Sequence, residues 1–381
     1  MKKLLFTAYS LEIGGIEKSL VTLLNTLAKN DEYEITLVLE KKCGALLNVI
    51  NKNIRITQYS PSYNKNKLIS KTINALKRIG CILKFKNKYD ASFSYATYCK
   101  MGAIVAQTAS TNCNLWVHSS YLKMFDNNEN KYKEFFENLN VNKFKNIIFV
   151  SNRSKQEFDS IIKTNNTLVC KNLIDYNKII ELSNESISMK KNKDVYTFLY
   201  IGRLTEDSKK VSRLFESANL LKKANYNFKI LVIGNGKDFE KYKEMCEEFN
   251  LNDNITFLGE INNPYPYFKI ADSLILVSED EGYPVVYDEA KVLNLPIVTT
   301  DVSDSRLDIE NKLGLVCKQD INDIFENMKK MINDNFIIKE KIDYEKYNNE
   351  IIRIIEELVW GINVLNGDRH DLKNKLFLFR F

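Results

Sequence analysis

The stretch SEDEGYPVVYDEAKVLNLPIVTTD, residues 278–301, holds two carboxylates, Glu281 and Glu289, with seven residues between them. Glu281 falls in a turn, and Glu289 part-way along the helix expected to follow. Pro284 suits the first helical position, where its missing N–H would have had no partner anyway. Gly282 allows either a close backbone approach to a ligand or a positive φ. The unpaired amides of such a helix start can meet phosphate or hydroxyl oxygens. Glu289 lies four residues from both Val285 and Leu293 and shares their face, and an inward-facing carboxylate needs hydrogen-bond donors. A pair of vicinal sugar hydroxyls would supply them. On pattern alone another reading stands beside this one: Glu281 a solvated loop acid, Glu289 paired with a nearby lysine.

What the chain lacks narrows the chemistry. With only two histidines, His118 and His370, mechanisms built on several imidazoles are excluded. Seven scattered cysteines without a C-x-x-C read as reduced thiols in a cytosol. There is no P-loop motif, no H-E-x-x-H and no G-x-S-x-G. No two aspartates lie two apart, so a D-x-D clamp for a metal-bound diphosphate is missing, and neither metal nor other cofactor is expected. Gly234-Asn235-Gly236 would need a third glycine at Phe239 to form a dinucleotide loop. The formal charge of +6 over 381 residues is mild, and no nucleic-acid partner is expected.

An alternating strand–helix framework must hold these residues. Residues 2–9 read as a first β-strand rather than a secretory leader, since the apolar run is brief and Glu12 interrupts it. After Gly14-Gly15, the residues Ile16, Leu20, Leu24 and Leu27 recur at helical spacing. Strands are expected at 33–39, 90–95, 114–118 and 146–150, with a helix over 152–162. A second series has strands at 195–201, 228–233, 255–258, 273–277 and 296–299, and helices at 209–224, 237–249 and 284–293. Apolar runs such as Leu274-Ile275-Leu276-Val277 fit parallel strands covered on both faces. The polar stretch 183–194 is the best linker. The fold class is therefore α/β, with two Rossmann-like doubly wound domains facing each other and ligands at the carboxyl ends of their strands. The expected domains are 1–180 and 181–346.

The 278–301 stretch resembles the E-x7-E signature of retaining glycosyltransferases of the GT-B fold, glycosyltransferase family 4. Six further segments are similar to family motifs, in the family's order. Gly14-Gly15-Ile16-Glu17-Lys18 resembles its N-terminal glycine loop. Val150-Ser151-Asn152-Arg153 and Lys171-Asn172-Leu173-Ile174-Asp175 resemble segments before its second domain. Ile201-Gly202-Arg203-Leu204 with Lys209 resembles its phosphate site, and Val232–Gly236 and Ile255–Gly259 resemble two later loops. The resemblance implies a GT-B architecture, two domains across a cleft, with the last segment, 347–381, packing back on the first domain.

It also implies roles. Glu281, with the amides of Gly282 and Tyr283, would contact the donor sugar, and Glu289 the nucleotide ribose. Arg203 and Lys209 would bind the diphosphate in place of a metal, with Gly15 approaching from the other domain and Gly259 on the donor side. His118 would orient the sugar rather than act as nucleophile. One residue more than the usual spacing follows Arg203, so Lys209 and Lys210 are alternatives for one role. Residues 301–309 lack the glycines the family often has there. The implied reaction moves a hexose-type unit from a nucleotide diphosphate sugar, UDP-sugar favoured, to a glycan or lipid-linked acceptor with retention. The rival readings are a nucleotide-sugar epimerase of the same architecture and a non-catalytic donor-binding partner subunit.

Residues 63–89 carry eight Lys or Arg and no acid, and Ile69, Ile73, Leu76 and Leu83 form a stripe at helical spacing. Such a helix could lie on an anionic membrane surface and present a lipid-linked acceptor, which would place a cytoplasmic protein at the inner face of the membrane. The ordinary alternative is a domain helix with a lysine-rich outer face. The tail 368–381 is a second basic, apolar candidate.

Overall fold

The computed structural model describes residues 1–59, 67–334, 336–338 and 340–361. The start of the basic segment (63–66) and the tail 368–381 lie outside these. The chain divides into two compact units, Met1–Leu173 with the residues from Glu345 onward, and Ile174–Tyr344.

The first unit is built on a parallel sheet of seven strands. In chain order they are β1 (Lys2–Ala8), β2 (Tyr33–Leu39), β3 (Arg55–Gln58), β4 (Ala91–Ser94), β5 (Cys113–Val117), β6 (Asn146–Phe149) and β7 (Thr167–Val169). In space the order is β3-β2-β1-β4-β5-β6-β7. The direction of growth reverses between β1 and β4, and loops leaving their carboxyl ends diverge there to make a ligand crevice. Side chains alternate across the sheet. Leu5 and Val38 pack with Phe85 and Val105 on one face, while Phe6 stacks on Phe93 on the other, with centroids 4.7 Å apart.

The second unit has six parallel strands, β8 (Tyr196–Ile201), β9 (Phe228–Ile233), β10 (Ile255–Gly259), β11 (Ser273–Leu276), β12 (Ile297–Thr300) and β13 (Gly314–Cys317), in the order β10-β9-β8-β11-β12-β13. Here the reversal lies between β8 and β11. Phe198 and Tyr200 join a core with helices Ser212–Lys223 and Ile321–Asp334. Leu199 faces the other way, with Tyr287 and Ala290 of helix Val285–Val292. Helices thus cover both faces, which is why these strands are apolar almost throughout.

Three expectations need correction. The division between units falls at 173/174 and 344/345 rather than at 180/181 and 346/347. Residues 183–194 belong inside the second unit, where Met189 packs on the core and Lys191 pairs with Asp272 at 2.6 Å. The helix expected from 209 begins at Ser212, leaving Lys209 and Lys210 in the loop before it. Helix Tyr344–Trp360 runs into the first unit. Its last carbonyls, those of Leu358 and Val359, accept from Asn112 Nδ2 at 2.8 and 3.3 Å, and Gly361 O accepts from Lys145 Nζ at 2.7 Å.

Candidate active site

In the second unit, most of the motif residues stand at carboxyl ends of strands. Arg203 follows β8, Gly234 to Gly236 follow β9, Gly259 ends β10 and Glu281 follows β11. The β8 and β9 loops are joined backbone to backbone. Leu204 N donates to Asn235 O at 2.9 Å and Gly234 N to Gly259 O at 2.8 Å. A Cβ at Gly234 would collide with Gly202 O, and one at Gly236 with Leu204 O, so these glycines permit the approach. Gly259, at φ +70°, has open space where a Cβ would stand.

Arg203 and Glu281 flank the strand-order reversal. Arg203 is exposed, and the Tyr200 phenol beneath it donates to the Arg203 carbonyl at 3.3 Å. Burial pushes the Tyr200 pKa well up; the Glu281 carboxylate adds to the shift and Arg203 opposes it, so both charges lie near one phenol. Glu281 Oε1 forms an ion pair with Lys209 Nζ and accepts from Ser278 Oγ at 2.8 Å. Both partners of the ion pair are mostly buried, at 17% and 14% side-chain exposure, so it is far less screened than a surface pair. Lys210, at φ +46°, lies close enough to Asp207 to help lower its pKa, behind the nearer Lys237. Of the two lysines, Lys209 is the one on Glu281.

The turn carrying Glu281 is fixed by five other residues. Glu279 N donates to Ser208 O at 2.8 Å, and the Glu279 carboxylate pairs with Arg213. Gln319 Nε2 donates to Glu279 O at 2.7 Å. Thr300 Oγ1 donates to Ser278 O at 2.6 Å, and Ser303 Oγ donates to Gly282 O. Ser303 takes a left-handed φ of +51°, so the glycine-poor 301–309 loop still reaches the turn. Gly282 itself is buried and is not among the positive-φ residues. Pro284 is the N-cap of helix Val285–Val292, one position before the place expected for it.

Glu289 is buried on that helix, and its Oε1 accepts from the Tyr265 phenol at 3.1 Å. A protein hydroxyl supplies a donor that the sequence reading gave to a ligand, and nothing local to Glu289 signals Tyr265. Tyr283 is also buried. Its hydroxyl donates to Asp288 Oδ1 at 2.9 Å and accepts from Lys291 Nζ at 2.7 Å.

The first unit holds the other two motif residues at the carboxyl ends of its own sheet. Gly15 opens helix Gly15–Leu27 after β1, and His118 follows β5. They are linked through Tyr95, just past β4. Its hydroxyl is 3.1 Å from Ser19 Oγ, which itself donates to Ile16 O, and its ring centroid lies 4.3 Å from that of His118. His118 Nε2 is buried with no hydrogen-bond partner, and burial pushes the imidazole pKa down to about 3, leaving it neutral at pH 7. Glu157 fixes the loop beyond it, accepting from Ser120 Oγ at 2.8 Å and Leu122 N at 3.3 Å. Among the described residues, no cluster of His, Cys, Asp and Glu could hold a metal ion.

Residues 183–351 match the family model Glycosyl transferases group 1. An uncharacterized glycosyltransferase of Methanocaldococcus jannaschii is 28% identical over 223 residues, 56% of this chain and 53% of that protein. The chain thus spans about half the length of this curated relative. A Campylobacter jejuni protein named GalNAc-alpha-(1->4)-GalNAc-alpha-(1->3)-diNAcBac-PP-undecaprenol alpha-1,4-N-acetyl-D-galactosaminyltransferase is 24% identical over 369 residues, 94% of this chain and 97% of that one. Among solved structures, Anabaena HepE in complex with UDP and glucose superposes with a TM-score of 0.73 at 16% identity, covering 93% of this chain and 100% of the other. The fold is that of the GT-B glycosyltransferases. Within that fold, residues 183–351 are similar to the group 1 glycosyl transferases.

Proposed function

We propose that this chain transfers a hexose-type sugar from a nucleotide diphosphate sugar, uridine diphosphate favoured, to a glycan or lipid-linked acceptor at the cytoplasmic side of a membrane, with retention and without a metal. The observation that carries the proposal is the Lys209–Glu281–Ser278 group beside Arg203 at a strand-order reversal, where sheets of this kind take ligands. Two similar proteins support the substrate classes: Anabaena HepE, solved in complex with UDP and glucose, and the Campylobacter jejuni transferase named for a PP-undecaprenol-linked glycan.

In this reading Arg203 and Lys209 meet the diphosphate. Lys209 exchanges Glu281 for phosphate, and the released carboxylate accepts from a sugar hydroxyl alongside the amides of Gly282 and Tyr283. The acceptor oxygen bonds the anomeric carbon as the bond from that carbon to the phosphate oxygen breaks on the same face. The acceptor's proton passes to the departing phosphate. Negative charge grows on the diphosphate during this step, so two cations fixed there lower the barrier more than they tighten ground-state binding. Glu289 holds the ribose, and Gly259 leaves room for the nucleotide.

The test is product analysis with a panel of nucleotide sugars and a polyprenyl diphosphate-linked oligosaccharide. The expected product is a glycan longer by one sugar, with the donor's anomeric configuration, lost in Glu281→Gln. An inverted linkage would overturn the retaining assignment. Conversion of the donor sugar without acceptor would make the protein an epimerase.

A further inference from the structure

Glu289 is only 4% exposed on helix Val285–Val292, and the group that meets its Oε1 is the Tyr265 phenol, donating at 3.1 Å. Tyr265 opens the short helix Tyr265–Ile270, which carries the chain from β10, at one edge of the sheet, past β9 and β8 to β11. The two helices lie on the same face of that sheet: Tyr265 and Phe268 pack in the cluster that holds Tyr287 and Ala290. The entry to the short helix is tied down. Asn263 Oδ1 accepts from Tyr265 N at 3.2 Å, while Asn263 Nδ2 donates to Leu182 O at 2.9 Å and to Glu185 Oε2 at 2.8 Å. The phenol therefore reaches Glu289 from a set position. Burial pushes its pKa up, and the carboxylates of Glu289 and Asp175 push it further, so the phenol keeps its proton and is the donor in this bond.

We propose that Tyr265 is a positioning residue for nucleotide recognition: by holding one oxygen of Glu289 it aims the carboxylate at the ribose hydroxyls, and so makes the site select ribonucleotides over 2′-deoxyribonucleotides. This rests on the reading that Glu289 takes the ribose, and adds what sets the direction of that carboxylate. The terminal torsion of a glutamate is soft, so the carboxylate plane is defined by its donors rather than by its rotamer. A carboxylate has about four acceptor positions, and one phenol proton uses only part of that capacity. A site built to bond a hydroxyl rejects the analogue that lacks it, because a buried polar group is then left short of a donor. If the bond merely tied the two helices together, its loss would weaken ribonucleotides and deoxyribonucleotides alike.

Calorimetric titration of the full chain with UDP and dUDP, ADP and dADP, and GDP and dGDP needs neither acceptor nor turnover. The wild type should bind the ribonucleotide of its preferred base about tenfold more tightly than the 2′-deoxy form, the size of one hydrogen bond to a charged group. Tyr265→Phe keeps the ring that packs on Phe268 and should bring that ratio close to one, by weakening the ribonucleotide while leaving the deoxyribonucleotide unchanged. Glu289→Gln should also abolish the preference, and adding Tyr265→Phe to it should change the ratio no further. A wild type without preference would overturn this inference and leave the proposed donor site standing. So would a ratio that Tyr265→Phe leaves intact, or an equal loss for both forms. Binding of no nucleoside diphosphate would overturn the proposed function, and this inference with it.

Discussion

Glu281 and Lys209 are bound to each other, and this coupling sets what substitutions should do. Removing either partner of a mostly buried ion pair leaves the other uncompensated. Glu281→Gln and Lys209→Met should each lower kcat by about a hundredfold or more, comparable with the loss of one fixed donor to a transition-state oxyanion. The double variant should fall short of the product of the two losses, because the residues act as a unit. Steady-state kinetics on the four proteins decides this, and independent, multiplicative losses would show that the pair is not shared. His118 makes a separate prediction. Its folded pKa of about 3 lies below the ordinary 6.5. The neutral form therefore stabilises the fold fully above pH 6.5, and this contribution is lost as pH falls toward 3, at about 1.4 kcal/mol per pH unit. Between pH 7 and 5 the wild type should lose about 2 kcal/mol more unfolding free energy than His118→Phe in urea titrations.

At the level of elements, loops carry most of the candidate residues, and each loop is tied by side chains of other loops or of helices. Ser303 supports Gly282, Gln319 and Arg213 hold Glu279, and Glu157 holds the segment after His118. Ser303→Ala should lower kcat while shifting the melting temperature little. Ser303→Gly would lose the same bond while relieving the left-handed φ, so equal activity in both would identify the lost hydroxyl as the cause. Periodicity made the strands legible because fully covered parallel strands are apolar from end to end, and the run at 274–277 is an example. It could not find Tyr265 or Ser303, whose partners are distant in sequence. It gave the apolar face of helix Lys67–Phe85 but not its direction, outward with Leu76, Ile79 and Leu83 exposed, since a pattern of 3.6 fixes which residues share a face and not what that face meets.

At the scale of the whole chain, each unit has its own sheet and its own cores. Composition placed the division near 180 because residues 183–194 are polar. Polarity does not mean absence of contacts, as Met189 and the Lys191–Asp272 pair make plain. The return of the last helix to the first unit rests on Asn112 and Lys145, which cap its carboxyl end. Asn112→Ala should cost about 1–3 kcal/mol by leaving those carbonyls unpaired, read as earlier unfolding of the first unit in hydrogen exchange.

In the proposed function, a sugar nucleotide is held at the carboxyl ends of the second unit's strands by Arg203, Lys209 and Glu281. Thermal stabilisation by nucleotide diphosphate sugars tests it most directly. At about 100 times its dissociation constant, the right donor should add about 2.7 kcal/mol to the wild type, and little at the same concentration to Arg203→Ala/Lys209→Ala. Stabilisation by no such donor, or stabilisation that the double variant retains in full, would contradict the account.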